Sequence, residues 1–221
     1  MEIGVLGATG PAGRGVAARF ADLGHDVIVG SRARARAEQV VEELRQRWDG
    51  RVASLRPGTN DEAAAAPGPV VVATNWEAAL ETTEAHASAL AGKVVIAMAN
   101  GLRREGREFR AVPTKEGSIA AAMQARAPAA RVVAALQHVP ARAFEDLDRP
   151  IDTDVVVCAD DDEARRTVIE LLDGIPGLRA FDGGSLANAA GVEAFAASLL
   201  TVNLRHRGTF TLRLGEEGSG R

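Results

Sequence analysis

The segment Gly7-Ala8-Thr9-Gly10-Pro11-Ala12-Gly13 most constrains what this chain can fold into, because it lies between the apolar run Ile3-Gly4-Val5-Leu6 and an amphipathic stretch opening at Arg14. Strand, glycine turn and helix in that order form a dinucleotide-phosphate site. The glycines let the backbone approach a pyrophosphate, and the N–H groups and positive dipole end of the helix face the anion. The register departs from G-x-G-x-x-G, since Ala8 stands where the first glycine belongs and the glycines recur at 7, 10 and 13. Downstream, Val16, Ala17, Phe20 and Leu23 recur at helical spacing. Gly24 stops that helix, and His25-Asp26-Val27-Ile28-Val29 reads as a second strand that completes a βαβ unit.

The end of the second strand selects the dinucleotide. An NAD site needs an Asp or Glu there for the ribose hydroxyls, whereas this chain has Gly30-Ser31-Arg32, then Arg34 and Arg36. A carboxylate repels a 2′-phosphate and a guanidinium attracts it. NADP(H) is therefore the expected cofactor, with Ser31 donating a hydrogen bond, Arg32 supplying charge and Arg36 assisting. The same arginines also suit the solvated start of a helix.

Composition removes several chemistries. A chain of 221 residues with 46% hydrophobic content can build one α/β domain, or a large domain with a small appendage, around a real core. A net charge of −4 argues against nucleic acid as a partner. The chain has no tyrosine, so the Tyr-assisted carbonyl reduction of short-chain dehydrogenases is out of reach. His25, His86, His138 and His206 are scattered without ligand spacing, so no metal site is expected. The lone Cys158, in the strand-like run 155–158, reads as a buried structural thiol. A first strand starting at residue 2 and the lack of a long apolar stretch give the expectation of a cytoplasmic chain with no membrane segment.

Further along, helix is expected over 37–48, a short strand over 54–58, a short helix from Asn60 and helix from about residue 76 through Leu90. Residues 69–74 are a continuous apolar run, the signature of a buried parallel strand, 93–98 read as another buried strand and 131–136 as a strand. The fold class is thus α/β, a Rossmann-like doubly wound parallel sheet with a small C-terminal helical and strand part. Ligands of such sheets lie beyond the carboxyl ends of the strands. Thr74, Asn75, Trp76, Met98, Ala99 and Asn100 are accordingly candidate walls for the nicotinamide, although Trp76 also suits core packing against its own helix. The strand ending at Leu136 delivers Gln137-His138-Val139-Pro140 to the same edge. Helix is expected over 117–130, from the acidic run 160–163 to Leu172, and over 187–203. The last of these is apolar nearly all round and calls for burial in the domain or against a second subunit. Residues 215–221 read as a frayed polar end.

With these segments laid out, the chain resembles the NADPH-dependent coenzyme F420 reductases over nearly its full length. The resemblance rests on the extended Gly7 to Gly13 turn, Val29-Gly30-Ser31-Arg32, Trp76-Glu77, Met98-Ala99-Asn100 and His138-Val139-Pro140. Asp148-Arg149-Pro150, Val157-Cys158-Ala159-Asp160-Asp161, Ile175-Pro176-Gly177-Leu178-Arg179 and residues 182–188 belong to the same set. It implies hydride transfer between NADP(H) and the deazaflavin F420, as a homodimer, with no metal and no certain catalytic side chain. It implies that the hydroxyl of Thr9 lies in the phosphate loop, and that Ser31, Arg32 and Arg36 grip the 2′-phosphate. It also implies that the deazaflavin lies beside Gln137, His138, Val139, Pro140 and Ala196, with Gln137 and His138 as positioning groups. Residues 1–150 would then be the NADP-binding domain, and 151–221 a smaller part completing the deazaflavin pocket and the dimer interface.

The chain departs from the family habit in that second pocket, where relatives commonly have His at Gln137, Pro at Asn75 and Thr at Ala196. Gln137 still offers an amide N–H but cannot carry a proton charge. Two other readings therefore stay open: an NADP(H)-dependent reductase of an imine, carbonyl or flavin, and a non-catalytic NADP(H) sensor.

Overall fold

A computed structural model describes residues 1–215 and 217, so most of the expected frayed end at 215–221 lies outside the described residues. The elements run β1 (Glu2–Leu6), α1 (Pro11–Asp22), β2 (Asp26–Ser31), α2 (Arg34–Trp48), β3 (Leu55–Thr59), α3 (Asn60–Ala65), β4 (Val70–Val72), α4 (Trp76–Ala85), α5 (Ala87–Leu90) and β5 (Val94–Ala97). There follow β6 (Leu102–Glu105), β7 (Glu108–Ala111), α6 (Ile119–Arg126), β8 (Arg131–Ala134), α7 (Ala141–Glu145), β9 (Thr153–Val157), α8 (Asp162–Asp173), β10 (Leu178–Asp182) and α9 (Ala189–His206).

Six strands form one parallel sheet in the order β3-β2-β1-β4-β5-β8. The period of two in the apolar runs explains its layering. Ile3, Val5, Val27, Val29, Ile96 and Val133 face one core with α1, α2 and α8, while Val70, Val72, Val95, Ala97 and Val132 face another with α3 and α6. The strand order reverses direction between β1 and β4, which opens a crevice at their carboxyl ends. Gly7 and Thr74 meet there.

Several boundaries depart from expectation for local reasons. The helix expected through Leu90 breaks at His86, which separates α4 from α5. The helix expected over 117–130 stops at Arg126, because Ala127 precedes Pro128 and a residue before proline disfavours helical backbone. The last helix opens with a tight turn over Leu186–Asn188 and ends at Arg207 in the left-handed region. Only one side of it is buried. Ala189, Ala196, Ala197 and Leu199 face inward with Glu193, while Phe195 and Val202 stay exposed.

The antiparallel hairpin of β6 and β7 was not anticipated, because its Arg- and Glu-rich sequence lacks an apolar alternation. It lies against α9, where Phe109 N–H donates to Thr201 Oγ1 at 2.8 Å and Arg205 pairs with Glu108.

The C-terminal part is a parallel β9–β10 pair connected by α8. It joins the main sheet through the antiparallel pair Ala134 and Cys158, whose backbone groups exchange hydrogen bonds of 2.8 and 3.0 Å. Val155, Val157, Val168, Leu172 and Leu178 share a single core with Ile3, Val16 and Phe20. Asp154, fully buried on β9, accepts from both Arg179 and Arg213. Burial pushes its pKa up, but Arg179 and the Leu214 N–H outweigh that and hold the carboxyl below its ordinary value. Arg19, buried on α1, donates to the backbone carbonyls of Ala143 and Arg149 at 3.0 and 2.8 Å and to that of Asp146, which pins α7 and the chain after it to the sheet.

Candidate active site

The glycine turn is built by close approach. Gly7 has φ +68°, and a Cβ there would lie 2.2 Å from Thr74 Cγ2. Its N–H donates to Asn60 Oδ1 at 3.2 Å. A Cβ on Gly13 would lie 2.8 Å from Ala8 Cα and 3.1 Å from the Ala73 Cβ, so this glycine lets α1 settle on the sheet. Nothing stands within 4 Å of the place a Cβ on Gly10 would take, and that open side faces the crevice. The irregular register is thereby accounted for. Gly7 takes the bend that ends β1, and Ala8 in the turn stays tied to β2, its N–H donating to the Gly30 carbonyl at 2.9 Å. With Gly10 as N-cap and Pro11 at N1, no side chain caps α1, and its first N–H groups stay available to an anion.

Two cavities share the wall formed by Ala73, Thr74 and Asn75. The outer groove, about 600 Å³, runs past Gly7, Thr9 and Gly10 to Ser31, Arg32 and Arg36. Arg34 turns away to Glu62 and the Pro57 carbonyl. Asn60, Ala78, Glu81 and Thr82 complete this groove and were not anticipated from the sequence. Their signal was helical spacing, since Ala78 and Thr82 lie on one face of α4.

The inner cavity, about 290 Å³, is bounded by Ala12, Thr74, Asn75, Trp76, Met98, Ala99, Asn100, Gln137 and Val139. Leu102, Leu136 and Ala141 also line it and had not been singled out. Gln137 is 7% exposed, yet neither its Nε2 nor its Oε1 has a hydrogen-bond partner among the described residues. The buried Thr74 Oγ1 is likewise unpartnered. A buried amide without a partner costs about 1–3 kcal/mol. The chain thus keeps donors and an acceptor ready for a polar planar group. Leu136, just before Gln137, has φ +71°, a left-handed backbone that costs a non-glycine residue about 1–3 kcal/mol.

His138, Pro140 and Ala196 do not line either cavity. The His138 ring points inward and donates from Nε2 to the Asp154 carbonyl at 2.7 Å, with Phe195 edge-on at 6.5 Å. Burial pushes its pKa down, which keeps the imidazole neutral. Pro140 is the N-cap of α7, and Ala196 is fully buried on α9. Asn75 caps α4 by accepting from the Ala78 N–H at 2.9 Å. Among the described residues no group of His, Cys, Asp or Glu could hold a metal ion.

A family model described as NADP oxidoreductase, coenzyme F420-dependent, matches residues 2–101. The F420-dependent NADP reductase of Methanocaldococcus jannaschii is 33% identical over 211 residues, 94% of each chain. The chain belongs to the F420-dependent NADP reductase family. The family's enzyme from Methanothermobacter thermautotrophicus is 32% identical over 94% of this chain and 91% of that one. A crystal structure from Arthrobacter sp. FB24, described as a candidate F420-dependent NADP reductase, superposes with a TM-score of 0.83 at 27% identity, covering 98% of this chain and all of that one. The family model's match ends at residue 101, whereas the cavity wall extends to Gln137 and Val139, in the part of the chain matched by the full-length relatives.

Proposed function

We infer that the chain transfers a hydride between NADP(H) and coenzyme F420. The observation that carries this reading is that the two cavities adjoin at Ala73, Thr74 and Asn75. A groove bearing Ser31 and Arg32 lies on one side of these residues and a small chamber with an unpartnered amide on the other.

The residues fit both groups. Gly7, Thr9, Gly10, Pro11, Ala12 and Gly13 form the pyrophosphate turn, and Ser31, Arg32 and Arg36 hold the 2′-phosphate. Thr74, Asn75, Trp76, Met98, Ala99 and Asn100 wall the nicotinamide side. Gln137 and Val139 face the deazaflavin, while His138, Pro140 and Ala196 support that wall from behind. NADP(H) and F420 supply the hydride chemistry themselves. The chain's part is alignment, which can contribute roughly 7–11 kcal/mol. Met98, Ala99, Leu102 and Leu136 exclude water from the chamber, and the Gln137 amide can donate to a ring carbonyl without changing its protonation state.

Purified protein mixed with NADPH and oxidised F420 is expected to bleach the deazaflavin in step with loss of NADPH. NADPH oxidation only with an imine, carbonyl or flavin, or binding without turnover, would overturn the reading. We further propose a cytoplasmic homodimer in which α9, through its exposed Phe195 and Val202, meets its copy, with residues 1–150 binding NADP(H); the expectation that 151–221 completes the second pocket is not met within one chain, since among the described residues the inner cavity's lining ends at Ala141. Sedimentation of the protein tests the dimer, and cell fractionation tests the location. None of the helices of the described residues is long and apolar enough to cross a membrane.

A further inference from the structure

Leu136 leads into the inner cavity with a left-handed backbone that leucine seldom adopts, and its side chain is only 2% exposed. The bend therefore belongs to packed structure. Two hydrogen bonds anchor the residues on its C-terminal side. Asn100 Nδ2 donates to the Gln137 carbonyl at 2.7 Å, and His138 Nε2 donates to the Asp154 carbonyl at 2.7 Å. Between these anchors the Gln137 side chain is buried and unpartnered against the cavity. Asn100 follows β5 and Leu136 follows β8, and the two strands are neighbours in the sheet. The Asn100 bond thus ties together two adjacent strand ends where the backbone leaves the ladder.

We infer that Asn100 is a positioning residue: by donating to the Gln137 carbonyl it fixes the Gln137–His138 peptide just after the left-handed bend and so presents the Gln137 amide to the cavity. The chemistry calls for this side chain. A carbonyl oxygen accepts only from a donor, and aspartate, of the same size and shape, offers none. The bend at Leu136 is closed by the Val139 N–H, which donates to the Leu136 carbonyl at 3.1 Å; without the Asn100 tie the Gln137–His138 peptide can rotate beyond that bend, and the Gln137 side chain turns with it. The inference deepens the functional reading and rests on it for the identity of the ring that Gln137 meets.

The test reads the bend first and the reaction second. In nitrogen–proton correlation spectra of uniformly labelled protein, the Gln137 side-chain amide pair is assigned by its disappearance in Gln137→Ala. It is expected to shift in Asn100→Asp, with the phosphate-loop amides of Thr9 and Gly10 unmoved. Asn100→Ala is expected to do the same and serves if the aspartate variant fails to fold. Gln137 resonances at their native positions in either folded variant would overturn the inference. In turnover, Asn100→Asp is expected to lower kcat by about fivefold, the worth of one neutral hydrogen bond. In a Gln137→Ala background it is expected to lower kcat no further, and a further drop of the same size there would also overturn the inference. The spectra need no F420. A protein inert toward F420 would sink the functional reading while the Gln137 resonances still decided the bend.

Discussion

The Thr74 methyl occupies the place beside Gly7 that a side chain would need: a Cβ on Gly7 would lie 2.2 Å from Thr74 Cγ2. Gly7→Ala therefore meets two penalties, a left-handed φ of +68° and a clash with β4's continuation. The expected loss is about 2–4 kcal/mol of stability, from left-handed strain and overpacking together, with weakened NADPH binding. Thr74→Ser in the same chain removes the clashing methyl and leaves the strain, so it should recover part of the stability. Denaturant melts of the single and double variants check this. Full recovery would show that the backbone angle is harmless.

Arg32 lines the outer groove beside Ser31, and Arg34 is engaged with Glu62. Arg32→Ala is expected to raise the NADPH dissociation constant by roughly 10- to 150-fold, the worth of a charge-assisted bond, while NADH binding stays nearly the same. Calorimetry with both dinucleotides measures it. Equal losses for the two would refute the 2′-phosphate role.

The buried, unpartnered Gln137 amide sets stability against function. Gln137→Leu removes polar atoms that lack partners and is expected to stabilise the free protein by about 1 kcal/mol. F420 turnover should fall in the same variant. Gln137→His keeps a ring N–H at the position and should preserve or raise turnover. Melting curves and steady-state assays of the two variants separate these effects, and a leucine variant of full activity would exclude Gln137 from the pocket.

Glu193 on α9 accepts from the Ile119 and Ala120 N–H groups at 2.8 and 3.1 Å and so caps α6 from across the core. Burial raises its pKa from 4.5 to about 7, against the pull of those two N–H donors. Between these values the folded chain holds a proton that the unfolded chain has released. Its contribution is therefore fully present below about pH 4.5, falls as pH rises to about 7 and is flat beyond, by an amount on the order of 3 kcal/mol. Glu193→Gln should abolish that slope. Urea titrations of both proteins at about pH 5 and about pH 8 give the difference. Parallel pH profiles would contradict the assignment.

The sheet was legible because its strands obey simple rules. Residues 70–73, 94–98 and 132–136 are apolar on both faces, as buried parallel strands must be, and the glycine turn marked the crevice beside β1. The dinucleotide side followed from Ser31 and Arg32 sitting at the end of β2. The β6–β7 hairpin escaped because its strands are charged and largely exposed, with Gly106 alone marking the turn. The Leu136 bend escaped for a deeper reason. Leucine is a poor marker of left-handed backbone, and the residues that follow it bond to Asn100 and Asp154, far away along the chain. Glu193 was hidden inside a helix read as uniformly apolar, since only the fold brings the start of α6 to it.

The Ala134–Cys158 backbone pair has a bearing on how such a chain can be cut or recombined. It hangs β9 from the border strand of the large sheet, and β9 and α8 help fill the interior that β1 and α1 also fill. Severing the polypeptide after residue 150 would strip those apolar side chains from their neighbours and bare the outer edge of β8. The two portions thus draw on one apolar interior.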